Sequence, residues 1–431
     1  MMSKTAKAKK AKQAKTQAKA SKKAPTPKSH GESPLIQAII LTAGKSTRTW
    51  PLTINRPKAL LEVANKTILE HNLEQLQGII KDVVIVTGFE GHQIIQRTGY
   101  RNGDINITYT EQLQQLGTAH ALKTAESKAK HRFLVLMGDD IYSREDLQNC
   151  IKHERCLLAQ TVEDVSQFGM VREKSGVLQQ ITEKASLSRE GLANTGCYVF
   201  GREIFSAIKK LKRSERGEYE LVDAVNIIAA SQKVAVEIAH NWQPITRPWS
   251  LLEANEKILH SLKDSSVKGE VEKGATIKGA VSIGKGTVIK AGAYIEGPVI
   301  IGENCTIGPN CYIRAYTAIG NNCYVGNATE IKNSILMRGA HAGHLSYVGD
   351  SVLGENANLG ASTITANLRH DNSHVKSTVK GQLVDTGRRK LGAIIGDNAH
   401  TGIHTTIYPG RKMWPNTTTL PGEVVRKDVE Q

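Results

Sequence analysis

The chain has 431 residues, of which 39% are hydrophobic and 23% charged, and a formal net charge of +16. Its length exceeds one comfortable core and predicts two or three units of roughly 100–200 residues each. No window approaches about 18 consecutive apolar residues, so a membrane-spanning helix is excluded. The six cysteines, at 150, 156, 197, 305, 311 and 323, form no CxxC pair, which argues against a zinc site or a secreted disulfide scaffold and for a reducing cytoplasm.

Residues 1–33 hold ten lysines against a single glutamate. Such a segment has almost nothing apolar with which to build a core, and a solvated disordered extension is expected. Binding of nucleic acid or an anionic surface by counterion release is the other use of such a tail. It lacks the apolar core of a signal peptide and the arginines of an organellar presequence.

The folded chain begins with "AIIL" at 38–41, which leads directly into "LTAGKSTRTWP" at 41–51. The "GKST" within it imitates a P-loop, but that motif needs a glycine five residues ahead of the G-K pair, where this chain has Ile39. What remains is a loop at the carboxyl end of a first strand, the usual ligand position in an open α/β sheet. From about 34 to 262, apolar strands ("DVVIVTG", "RFLVLMGDD", "NTGCYVFG") alternate with helical stretches ("TAHALKTAESKA", "REIFSAIKKLK", "YELVDAVNIIAAS"). A largely parallel, Rossmann-like α/β sheet is expected there.

From Ile277 every sixth residue is aliphatic: Ile277, Ile283, Ile289, Ile295, Ile301, Ile307, Ile313, Ile319, Val325 and Ile331. Neither a helix nor an ordinary strand has this period, and it predicts a hexapeptide β-helix over 263–431. Three hexapeptides make a coil, so Cys305 and Cys323 should lie in adjacent coils, packed as small residues. The flat, repetitive exterior suits trimerisation. The strict repeat lapses after Ile331, at "KNSILMRGAHAGHLSYVGD", where loops and sites are expected.

"LTAGKSTRTWPLTINRPKALLEV" resembles the opening signature of the sugar-nucleotidyltransferase family, typically L-A-A-G-x-G-T-R-x-x-P-L-T followed by P-K-P-L-L. Thr42, Ser46 and Ala59 depart from it. Ser46 matters most, because glycine there lets backbone amides approach a phosphate and takes positive φ freely; weakened rather than absent binding is expected. The resemblance implies in-line attack of a sugar 1-phosphate on the α-phosphorus of a nucleoside triphosphate, with pyrophosphate leaving. The nucleophile is already an anion, so the enzyme supplies orientation and positive charge rather than a base. Thr42 and Gly44 would line the nucleotide, Arg48 would grip the triphosphate, and Lys58 would face the α-phosphate or the sugar phosphate. Mg2+ would bridge the substrates on Asp139 of "LMGDD". Its second ligand is read as Ser250 or Asn255, with Asn255 favoured. "QLQQLGTAHA" resembles a pyrimidine-reading segment and implicates Gln112, Gly117 and Thr118. Gly169, Glu183 and Asn194 match sugar-contacting positions.

"AHAGHLSYVGDSVLGENANLGASTITANL" resembles the acetyltransferase segment of the bifunctional family that makes UDP-N-acetylglucosamine. The match implies that His344 is the general base for acetyl transfer from acetyl-CoA to an amino-sugar 1-phosphate, a role suited to imidazole. Lys332 lies twelve residues before it and Arg314 eighteen earlier, matching a phosphate-binding pair. Tyr347, Asn358 and Asn367 match substrate-contacting positions, with Ala361 and Asn367 toward acetyl-CoA. Ser373 stands where the family has lysine, for which Lys376 is the substitute, and the insert "STVKGQLVDTGRRKLG" resembles archaeal members. His341, His370 and His374 are read as surface residues.

The resemblance as a whole implies acetylation of glucosamine 1-phosphate or galactosamine 1-phosphate, then transfer from UTP or dTTP. Two alternatives stand beside it. One is a nucleotidyltransferase with an inert β-helix, as in ADP-glucose and GDP-mannose pyrophosphorylases. The other is an assembly subunit of translation-initiation type, against which the retention of Arg48, Lys58 and Asp139 argues.

Overall fold

The computed structural model describes residues 36–183 and 190–430; the segment expected to be a disordered tail lies outside them. Gln37–Leu41 is an interior strand of a ten-stranded sheet. It pairs in parallel with Asp82–Thr87 on one side and Arg132–Met137 on the other, and Ile105–Glu111 extends the parallel set. These strands are apolar on both faces because helices cover both. Successive residues therefore enter different cores: Ile39, Val84 and Val135 pack in one cluster, while Ile40, Ile85 and Leu136 pack in the other.

The expected parallel order is broken at "NTGCYVFG". Gly191–Gly201 runs antiparallel between Arg132–Met137 and Cys156–Val162. Before it come a 3-10 turn at Val165–Gln167 and the hairpin Met170–Lys174/Val177–Thr182. Without a crossover helix the chain cannot return in parallel to the same sheet.

The last helix of this part, Ser250–His260, is followed by the first coil strand at Ser266–Val267. From there the chain winds into a parallel β-helix of three sheets with eight, six and eight strands. The hexad register holds: Ile277 pairs with Ile295, Ile295 with Ile313, and Ile313 with Ile331. Cys305 and Cys323 occupy adjacent coils as free, buried thiols, each directed at a carbonyl of the next coil, Gly320 and Met337 respectively.

The lapse has a geometric cause. After Ile331 the step between stacked residues falls from eighteen to seventeen, with Ile319 on Leu336, Val325 on Ala342 and Ile331 on Val348. The corner at 332–335 is one residue short, and so is the next, at 349–352, since Val348 stacks on Thr365. Thr365 then stacks on Ile407, because an inserted segment leaves the coil and forms the hairpin Lys376–Val379/Gln382–Asp385.

Sheet and β-helix share an apolar cluster in which Leu52, Leu61, Trp249 and Leu252 meet Ile335, Met337, Val352, Val379 and Ile394. Both parts belong to one compact unit beginning at Ile36. No helix among the described residues is long and apolar enough to cross a membrane.

Candidate active sites

The signature loop leaves the carboxyl end of Gln37–Leu41 and turns sharply at Ser46, whose φ and ψ are both 49°. That is the left-handed region, where glycine is at ease and serine is strained. Three bonds to the Ser46 carbonyl hold the turn: Thr49 N at 3.1 Å, Thr49 Oγ1 at 2.8 Å and Thr53 Oγ1 at 2.9 Å. Lys45, the residue that imitates a P-loop lysine, lies 5.5 Å from the centre of the Phe89 ring.

This loop borders a cavity of about 280 Å3 lined by Thr42, Gly44, Lys45, Ser46, Lys58, Gln112, Gln115, Gly117, Thr118, Met137, Asp139 and Glu218. Five nucleotide positions expected from sequence thus converge with Lys58 and Asp139. Gln112 braces the far wall, donating from Nε2 to the Gly117 carbonyl at 3.0 Å. Gln115 closes the loop by donating to the Ala43 carbonyl at 3.0 Å. The Thr42 hydroxyl turns into the sheet, to the Val86 carbonyl at 2.7 Å, and its methyl lies against Gly138. Thr118 caps from the other side, its Oγ1 accepting from Leu221 N at 3.0 Å.

Lys58 Nζ lies 2.8 Å from Asp139 Oδ2. The lysine is nearly buried, whereas the Asp139 side chain is 39% exposed. Its neighbour Asp140 is the structural member of the pair, accepting from Trp242 Nε1 at 3.1 Å and Ile245 N at 3.2 Å. Burial and the adjacent Asp139 push the Asp140 carboxyl up to about 7.

Arg48 does not line the cavity. It is exposed on the 3-10 turn Thr47–Thr49 and has no acidic partner among the described residues. Arg247 of "RPW", half-buried, is held below the usual arginine range by burial and by the charge of Arg48. Arg247 shares a surface depression with Asp164, Trp249 and Glu253. Arg247, three residues before Ser250, was not among the residues expected from sequence.

Of the positions expected to contact a sugar, Asn194 belongs to a turn that adjoins this cavity. A Cβ on Gly196 would stand 2.5 Å from Met137 Cγ, so the turn at 194–196 lies directly against the cavity floor. Asn194 N donates to the Gly169 carbonyl at 2.8 Å. Its side chain donates to the Tyr198 hydroxyl at 2.7 Å and accepts from Gly196 N at 3.0 Å. Glu183 pairs with Arg216 at 3.4 Å.

One expectation is corrected. Asn255 is fully buried in the joint with the β-helix, where its Oδ1 accepts from Ala64 N at 3.0 Å and its Nδ2 donates to the Tyr316 carbonyl at 2.8 Å. It fixes the two parts together and does not face the Asp139 cavity, so it is not a metal ligand. Ser250, the other candidate, is buried with its Oγ accepting from Arg247 N at 3.3 Å. Among the described residues no three His, Cys, Asp or Glu side chains are grouped to hold a metal alone. Asp139 suits a cation that takes most of its ligands from phosphate oxygens and water, as Mg2+ does.

The second constellation lies on the short-cornered coils. Arg314 Nη1 is 2.9 Å from Glu330 Oε1, and Glu330 stacks on Tyr347. Asp350, 2% exposed, organises the rest. It receives Lys332 Nζ at 3.2 Å, Asn333 Nδ2 at 2.9 Å and Asn367 Nδ2 at 2.6 Å, and Asn367 also reaches the Tyr347 hydroxyl at 3.2 Å. Shortening the corners brings 332–333 and 349–350 into register; sequence reasoning quoted Asp350 without giving it a role.

His344 ends the strand His341–His344 on the adjoining sheet, exposed. Its carbonyl accepts from Ser362 N at 3.0 Å and Ser346 Oγ at 2.9 Å, and its ring has no partner among the described residues. Asn358 stacks on His341 one coil along, with Ala361 just beyond it beside Ser362. Ser373 is exposed and bonded to Asp371 and Arg369. Lys376 lines a groove with Leu368, Tyr408, Arg411 and Arg426 that begins at Ala366.

A strand-end cavity with this loop, lysine and aspartate defines a nucleotidyltransferase, and residues 37–261 match the family model described as "Nucleotidyl transferase". Residues 295–416 match a model described as "GMPPB C-terminal domain". The similarity extends across both halves. "Bifunctional protein GlmU" of Methanocaldococcus jannaschii is 38% identical over 397 residues, covering 92% of this chain and 96% of that protein. The protein of the same name from Methanococcus maripaludis strain C7 is 44% identical over 401 residues, with coverage of 92% and 96%. "Bifunctional sugar-1-phosphate nucleotidylyltransferase/acetyltransferase" of Sulfurisphaera tokodaii is 38% identical over 399 residues, with coverage of 91% and 98%. The chain belongs to the bifunctional GlmU family.

Proposed function

We propose that the chain acetylates an amino-sugar 1-phosphate with acetyl-CoA and then transfers a uridylyl or thymidylyl group to the product, giving UDP-N-acetylglucosamine or a close relative. The observation that carries this reading is the gathering of Lys332, Tyr347 and Asn367 through Asp350 at the end of one sheet, with Arg314 one coil before Lys332, while His344 and Asn358 lie on adjacent strands of the sheet that precedes it. A scaffold β-helix has no use for that arrangement.

In the first reaction Arg314 and Lys332 bind the sugar phosphate, and Tyr347 and Asn367 orient the ring. His344 accepts a proton from the 2-amino group as the nitrogen attacks the thioester carbonyl, and CoA leaves as the thiol. The His344 face is open on this chain, so a neighbouring copy completes it, in keeping with a homotrimer. Lys376 and the groove beside Asn367 receive part of the acetyl donor.

In the second reaction the nucleoside triphosphate lies along Gly44, Gln112, Gly117 and Thr118, and the sugar lies against Gly169, Glu183 and Asn194. Asp139 would hold Mg2+, which would neutralise charge at the phosphates. Lys58 binds the phosphate oxygens, and Arg48 closes over the departing pyrophosphate. No base is needed, since the attacking phosphate is an anion. The reactants are cytoplasmic metabolites, and the buried free thiols suit that compartment.

The test is a substrate panel on purified full-length protein. Free CoA should appear from acetyl-CoA with glucosamine 1-phosphate or galactosamine 1-phosphate, and pyrophosphate from UTP or dTTP with the N-acetylated sugar phosphate. Pyrophosphate without CoA under any condition would reduce the chain to a nucleotidyltransferase on an inert β-helix.

A further inference from the structure

The loop that carries Arg48 and Lys58 belongs to the nucleotidyltransferase part, yet two of its holds come from the β-helix. Lys412, 2% exposed on the strand Lys412–Met413, donates from Nζ to the Trp50 carbonyl at 2.9 Å. The same ammonium donates to the Thr378 carbonyl of the inserted hairpin at 2.5 Å. At the other end Arg56, two residues before Lys58, reaches across with Nη2 2.7 Å from Asp397 and Nη1 3.1 Å from Glu355. Nη1 also lies 3.7 Å from Met337 Sδ.

The two parts do not need these ions for adhesion. They already share an apolar cluster, and buried ions usually hold a joint no better than apolar side chains of the same size. What ions add is direction: a lysine shared between two carbonyls and a guanidinium forked between two carboxylates fix the backbone at 50 and 56 to within hydrogen-bond tolerance. Reaction geometry is sensitive on that scale, since a displacement of about 1 Å costs roughly 100-fold.

We propose that Lys412 and Arg56 are positioning residues for nucleotidyl transfer, through which the β-helix holds the loop bearing Arg48 and Lys58 in its working geometry. The proposal rests on the nucleotidyltransferase reading of that loop. The acetyltransferase half is thereby a structural component of the other active site, and the inserted hairpin, by offering the Thr378 carbonyl, completes the seat for Lys412.

The experiment uses the full-length protein and the Lys412→Met, Lys412→Arg, Arg56→Met and Arg56→Lys variants. Amide hydrogen exchange over residues 46–58 is read without substrate, together with melting temperature, pyrophosphate release and CoA release. Both methionine variants should speed exchange over 46–58 and lower pyrophosphate turnover roughly tenfold or more. CoA release should stay within about twofold in Arg56→Met, because Arg56 touches nothing of that site, whereas Lys412→Met also frees the Thr378 carbonyl of the hairpin that bears Lys376. Lys412→Met removes a buried charge but leaves the Trp50 and Thr378 carbonyls unpaired, so its melting temperature should change little. Lys412→Arg should recover most of the turnover and Arg56→Lys part of it, because a point charge cannot fork. Unchanged loop exchange in both methionine variants would overturn the proposal. So would a parallel fall of both activities with the melting temperature in Arg56→Met, which marks simple adhesion. If wild type releases no pyrophosphate from any nucleotide, the functional reading fails, and loop exchange alone decides the tether.

Discussion

Gly44 separates what the fold requires from what the nucleotide requires. It is exposed, at the lip of the cavity, and a Cβ built on it meets nothing within 4 Å. Its φ lies outside the left-handed range, so Gly44→Ala introduces neither clash nor backbone strain in the free protein. Free stability should hold or rise by up to about 0.5–1 kcal/mol, because alanine loses less backbone freedom on folding. The added methyl instead occupies space through which a phosphate must pass to reach the loop amides. Losing one charge-assisted bond from such an amide costs about 1.5–3 kcal/mol, a rise in KM for the nucleotide of roughly 10- to 150-fold. The assay is pyrophosphate release against UTP and dTTP concentration, with a parallel melting curve of the ligand-free protein. A KM within twofold of wild type would refute phosphate approach at Gly44. A lower melting temperature would show that the glycine serves the fold.

Gly117→Ala should behave oppositely: with φ at 103° and the new Cβ 2.5 Å from Tyr219 O and 2.8 Å from Tyr219 N, it should cost about 2–4 kcal/mol, read as a lower melting temperature without ligand. Asp350→Ala strands Lys332, Asn333 and Asn367, and should cost about 3–5 kcal/mol and abolish CoA release; full CoA release would show that the network is ornamental. Burial holds the Lys412 ammonium down to about 8, against an ordinary 10.5, with Asp428, Glu430, Arg247 and Arg411 facing it. Between those values the unfolded chain binds more protons, so stability from this group rises with pH. Wild type should therefore gain on Lys412→Met between pH 8 and pH 10.5, by on the order of 3 kcal/mol at most, in paired unfolding curves; a flat difference would contradict the burial argument.

The repeating parts of the molecule were legible. Ile277, Ile295, Ile313 and Ile331 stack as their spacing required, because a hexad pattern fixes register residue by residue. Ser46 was legible too, since a family preference for glycine points to positive φ. The antiparallel course of Gly191–Gly201 was not, because apolar content is the same in either direction and only the intervening hairpin decides. Asn255 misled because an asparagine after a tryptophan looks alike in a metal site and in a buried joint. Asp350 was hidden by corner length: its role exists only once 332–335 and 349–352 each lose a residue. Arg56 and Asp397, 341 residues apart, meet only when the β-helix docks, and no local pattern encodes that pairing.

The central claim is that one chain carries two working sites, and the His344→Ala variant tests it most directly. In a coupled assay with acetyl-CoA, glucosamine 1-phosphate and UTP or dTTP, wild type should release both CoA and pyrophosphate. The variant should lose CoA release by roughly 100-fold or more, while pyrophosphate release from ready-made N-acetylglucosamine 1-phosphate stays within twofold. CoA release that survives His344→Ala, or that never appears in wild type, would contradict the account.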